Sequence, residues 1–67
     1  MFIKLTNASE QYAGRSVIIR KDLIQSVFQA DVERDGATVT VTYVWGGEKG
    51  TWEVSETTDE VWDLLKS

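Results

Sequence analysis

The chain contains no cysteine, no histidine and no proline, and each absence removes a class of explanation. Without cysteine there can be no disulfide framework, thiolate zinc site or thiol nucleophile, although small secreted domains usually need such staples. A reducing, cytoplasmic setting is the expectation. Without histidine the commonest general base and metal ligand is missing, leaving only carboxylate, hydroxyl, phenol and amine chemistry. Long apolar runs are lacking too, and Met1-Phe2-Ile3-Lys4-Leu5 reads as a strand and not as the apolar region of a signal peptide. Without proline, neither edge of a sheet can be blunted by that residue.

The 67 residues allow one domain, 1–67, which buries only about 60% of its unfolded surface. With 42% hydrophobic residues and three Trp, there is enough apolar material for one core and too much for a disordered chain. The net charge is −4, opposite to the footprint of a phosphate-binding protein. That charge is uneven. Residues 1–21 hold Lys4, Arg15, Arg20 and Lys21 against Glu10, whereas residues 53–67 hold Glu53, Glu56, Asp59, Glu60 and Asp63 against Lys66.

The pattern of residues predicts an α+β fold: a five-stranded antiparallel β-meander, strongly curved or like a small barrel, followed by one C-terminal helix. Ile3 and Leu5 alternate with Lys4 and Thr6, and Val17 and Ile19 alternate with Ser16, Ile18 and Arg20. A third strand is expected from about Ile24 to Val32, then a hairpin turn at Glu33-Arg34-Asp35-Gly36. Thr38 to Trp45 is the clearest strand, and Val39, Val41, Tyr43 and Trp45 are expected to face the core. Gly46, Gly47 and Gly50 turn the chain into a fifth strand with Trp52 and Val54. Thr57-Thr58-Asp59-Glu60 is a capping box, and Val61, Leu64 and Leu65 form the apolar stripe of the helix, with Trp62 at its edge.

Two motifs with chemical meaning have plainer explanations. Asp31-x-Glu33-x-Asp35-Gly36 opens like a calcium loop, but Thr42 stands where the bidentate Glu belongs, so strand and hairpin explain it better. Gly46-Gly47-Glu48-Lys49-Gly50 lacks the Gly-Lys-Ser/Thr order of a phosphate loop, and is read as a turn. No catalytic, cofactor or metal residue is assigned, and an enzyme is not expected. The candidate partner-binding residues are Trp45, Trp52 and Trp62 with Asp59 and Asp63. Three indoles exceed what so small a core should need, and an exposed Trp gives a binding surface large contact area at low entropic cost.

Ile3-Lys4-Leu5-Thr6, Gly14-x-x-Val17-x-Ile19-x-x-Asp22-Leu23-Ile24-x-x-Val27, Gly36-x-x-Val39-x-Val41 and Val54-x-Glu56-Thr57-x-Asp59-Glu60-Val61, taken in order, resemble the small bacterial FlbD-type proteins associated with flagella and swarming motility. The sequence differs from that pattern at Arg20-Lys21, where an asparagine and often a proline are usual, and in a longer glycine-rich turn. The resemblance implies an accessory role without catalytic or cofactor residues. The expected function is therefore non-enzymatic binding of another protein, with a homodimer expected from the unblunted edges and from Phe2 and Ile18 on the polar faces of their strands. Two alternatives stand beside it. One is a nucleic-acid-binding regulator of CsrA-like architecture acting through Arg15, Arg20 and Lys21, against which the acidic balance weighs. The other is an acidic inhibitor of a host protein, of either bacterial or phage origin.

Overall fold

A computed structural model describes all residues from Met1 to Ser67. Five antiparallel strands form two sheets, and one C-terminal helix follows them. Strands β1 (Phe2–Thr6) and β2 (Ser16–Arg20) pair with each other, Ile3 opposite Ile19 and Leu5 opposite Val17. Strands β3 (Ser26–Arg34), β4 (Ala37–Trp45) and β5 (Thr51–Val54) make the second sheet in that order. The simple meander expected from the sequence is broken, because β2 does not pair with β3. The chain instead passes through a short 3-10 turn, Lys21–Leu23, and the two sheets join at the other side of β1. There an Asn7–Val54 bridge is flanked by the bonds Ser55 N–H to Thr6 O and Ala8 N–H to Glu53 O, both 2.9 Å. The strands do not close into a barrel, since β2 and β3 remain outer strands.

The β3–β4 turn is tight because Asp35 and Gly36 both take positive φ, 53° and 78°, the conformation that a two-residue hairpin loop needs and that Gly supplies at no steric cost. That loop sets Arg34 opposite Ala37 and hence Phe28 opposite Tyr43. The β4–β5 turn depends on Gly46 for a different reason. A Cβ there would lie 2.9 Å from the Trp52 ring and 3.0 Å from the Leu23 carbonyl oxygen.

Helix α1 (Thr58–Lys66) begins with the reciprocal cap that its sequence predicts. The Thr57 hydroxyl accepts a bond from the Glu60 amide at 3.1 Å, and the Glu60 carboxylate accepts one from the Thr57 amide at 3.0 Å. The helix packs against β1 and β3, across the open side of the curved strands. Ile3, Leu5, Ile19, Val44, Val54 and Val61 form the core beneath it, with Val17, Ile24, Val27, Trp52 and Leu65 packed around them. Of the expected helical stripe, Val61 is fully buried and Leu65 half-buried, while Leu64 is 36% exposed.

The inner face of β4 is the opposite of the expected one. Val44, with Thr42 beside it, points into the core, and Val39, Tyr43 and Trp45 stand on the outer face. The reason lies in the register: Val44 pairs with Trp52 and Thr42 with Val54, and directly opposed residues point the same way. Once Val54 faces β1 and the helix, Val44 must as well. Val41 shares the outer face and is nevertheless buried.

Candidate protein-binding surface

The outer face of the three-stranded sheet is built by alternation. In β3 it carries Ser26, Phe28, Ala30, Val32 and Arg34; in β4, Trp45, Tyr43, Val41, Val39 and Ala37; in β5, Thr51 and Glu53. Phe28 and Tyr43 are directly opposed, with ring centroids 5.6 Å apart and planes tilted by 33°. Trp45 follows Tyr43 on the same face of β4 and is the diagonal neighbour of Phe28 across the strands, within reach of a large side chain at roughly 7–8 Å. Phe28 is 46% and Trp45 44% exposed. The helix lies on the other side of the sheet and leaves Phe28 and Trp45 uncovered, while Tyr43 is half-buried beside the β1–β2 loop, where Asn7, Ser9 and Tyr12 line a pocket with it.

The far end of the same face is closed by Arg34. Its guanidinium donates to the Ala8 carbonyl at 2.7 Å and to the Glu53 carboxylate at 2.6 Å, with Glu10 3.9 Å away. The bond to Glu53 is the chief reason that the Arg34 guanidinium holds its proton even more firmly than usual. In register Arg34 lies beside Ala37 and Glu53 beside Tyr43, six positions apart along β4, which in a flat strand is roughly 20 Å. Contact between them requires the hairpin to coil. The β1–β2 loop, anchored through Ala8, completes this closure, and the aromatic group is left open at one end.

The residues singled out from the sequence fall in separate places. Trp45 is on the outer face. Trp52 lies on the inner side, half-buried against the core and Gly46. Trp62, 58% exposed, lines a groove of about 390 Å³ with Asp59, Ile24, Val27 and Leu65. Asp63 lies apart from that groove, paired with Lys66 at 3.3 Å near Glu56, Glu60 and Leu64. The structure thus brings Trp62 and Asp59 together and does not join them to Trp45, Trp52 or Asp63.

Phe28 and Tyr43 were not singled out, although the two-residue Asp35-Gly36 loop was sufficient to pair them. A further apolar surface lies on the outer side of β1 and β2, where Phe2 (62% exposed) stands opposite Arg20 and Ile18 (64% exposed) opposite Lys4. Arg20 is itself tied to Asp22 at 2.7 Å, and Lys21 donates to the Ser67 carbonyl at 2.8 Å. The calcium-like segment is β3 and its turn, with Asp31 accepting from the Thr40 hydroxyl at 2.8 Å. No helix is long and apolar enough to cross a membrane. No family model matches the chain, and neither a curated protein nor a solved structure shows significant similarity to it.

Proposed function

We propose that this chain is a non-enzymatic accessory protein that acts by binding another protein through the Phe28–Tyr43–Trp45 face. The observation that carries the reading is that the sheet turns its aromatic side outward and its Val44 and Val54 side inward. A 67-residue chain with little core to spare gains stability from every ring it buries, so large rings left outside are best explained by what they meet there. Aromatic residues clustered on a rigid sheet are the kind of anchor that dominates protein interfaces. The FlbD-type resemblance supports an accessory role and a link to motility, and the absence of cysteine supports a cytoplasmic setting.

The test compares the full chain with Trp45→Ser and with Phe2→Ser, each immobilised and exposed to extract of the native host. One protein species retained by the wild type and by Phe2→Ser, and lost with Trp45→Ser, is the expected result. Equal retention by wild type and Trp45→Ser contradicts it.

A second reading rests on a specific juxtaposition, the exposed Phe2 ring opposite Arg20 with Ile18 and Lys4 beside them. An aromatic among cations can stack a nucleobase while the cations meet the backbone. Binding of single-stranded RNA that weakens steeply with salt and is lost in Phe2→Ser favours this regulator over the protein-binding module.

A further inference from the structure

Strand β3 is an outer strand of nine residues, paired on one side only. No backbone hydrogen bond reaches its other side. It contains no proline and no bulge in the β3–β4 register, its charges are confined to Asp31, Glu33 and Arg34 in its second half, and α1, which packs against it, makes no backbone hydrogen bond with it. Such an edge pairs with another strand unless it is covered.

We infer that β3 pairs antiparallel with β3 of a second copy, about a two-fold axis through Ala30, making a six-stranded sheet across the dimer. The residues of β3 select this register. With the axis at Ala30 all nine residues find a partner: Phe28 meets Val32, Gln29 meets Asp31, Val27 meets Glu33 and Ser26 meets Arg34 of the second copy. No like charges oppose each other. Moving the axis to Asp31 sets the two Asp31 carboxylates face to face, and moving it to Val32 sets Asp31 against Glu33; directly opposed like charges destabilise a sheet. An axis at Gln29 leaves Glu33 and Arg34 beyond the paired region, and an axis at Phe28 leaves residues 31–34 beyond it. Only same-face pairings are compatible with the two-fold, so axes within two residues of Ala30 are the close alternatives.

The chosen register also matches chemistry on both faces. On the outer face, an aromatic opposes a β-branched side chain twice, with two small Ala30 side chains between them at the axis. On the inner face, the Gln29 amide meets Asp31, whose Oδ1 already accepts from Thr40 and whose other oxygen is available. The other outer strand, β2, has five residues, and self-pairing about Ile18 places Arg15 against Lys21 at both ends. The dimer does not depend on the partner-binding reading, and Trp45, on β4, stays outside the contact. The two aromatic faces lie side by side on the combined sheet.

Sedimentation equilibrium on the purified full chain, from micromolar to millimolar concentration, tests the dimer, and two variants at Gln29 test its register. The wild type is expected to approach twice its 7.6 kDa monomer mass. Gln29→Lys, opposite Asp31 of the second copy, is expected to tighten the dimer, and Gln29→Glu to weaken it, each by roughly two- to tenfold, because the pair occurs twice. Gln29 is exposed, so unchanged urea midpoints in dilute solution confirm that both variants fold. A monomer at every concentration overturns the proposal, and so does a shift of the same sign in both variants.

Discussion

Arg34 and Thr57 each solve a problem that a short chain cannot leave to its core. Thr57 satisfies an orphan amide at the start of α1 and is answered by Glu60, so Thr57→Ala is expected to cost about 0.5–2 kcal/mol; equal urea midpoints would remove the cap from the account. Arg34 holds the coiled hairpin to the β1–β2 loop by a planar fork that serves Ala8 and Glu53 at once. Arg34→Ala should speed amide hydrogen exchange in residues 8–15 and at the hairpin turn while leaving α1 unchanged, and Arg34→Lys should not restore protection, because an ammonium lacks the fork. Asp22 gives a pH dependence. Backbone hydrogen bonding first, and then the Arg20 guanidinium, hold its carboxyl below the usual range. Its contribution is complete above the ordinary carboxylate range and is lost as pH falls through the lowered value. Asp22→Asn should lower stability slightly at neutral pH and converge with the wild type at low pH, so that the acid side of its stability profile is flatter.

At the scale of elements, α1 and β4 show how far patterning carries. The helix, its cap and its buried side were legible, because a capping box and i, i+3, i+4 spacing are local signals. The weight within the stripe was not: Val61 is fully buried while Leu64 reaches solvent. Val61→Ala should therefore cost about 2–3 kcal/mol, two methyl groups at about 0.8 kcal/mol each plus the cavity they leave. Leu64→Ala should cost less than about 1 kcal/mol; the reverse order of urea midpoints would mean that the helix is rotated on the sheet. In β4 the alternation was plain, but period two gives two faces without saying which is inner. Valine and threonine on one face looked less like core than Tyr43 and Trp45 on the other. The deciding information was non-local: the glycine-rich turn pairs Val44 with Trp52 and Thr42 with Val54. For the same reason Trp45 was recognised as a binding candidate while Phe28 and Tyr43, its neighbours only through the register, were missed.

For the whole molecule, the economy of the core is the governing fact. Six buried side chains from β1, β2, β4, β5 and α1 form the one core cluster, and larger rings stay outside it. Charge is divided in part along the same lines, with four of the seven cations, Lys4, Arg15, Arg20 and Lys21, on or beside β1 and β2, and four of the eleven carboxylates, Glu56, Asp59, Glu60 and Asp63, on α1 and its cap. The outer face of β3 and β4 is apolar and open at its Phe28–Trp45 end and closed at the other by Arg34 and Glu53. If that face exists for binding, it contributes more to recognition than to folding. The decisive measurement combines the two properties in Trp45→Ser. The account predicts a stability loss of no more than about 1–2 kcal/mol, because Trp45 keeps 44% of its surface exposed and only part of a large side chain's burial energy is at stake, together with loss of the captured partner. A loss of about 3–5 kcal/mol, the cost of truncating a core aromatic, with the partner still captured, would contradict it.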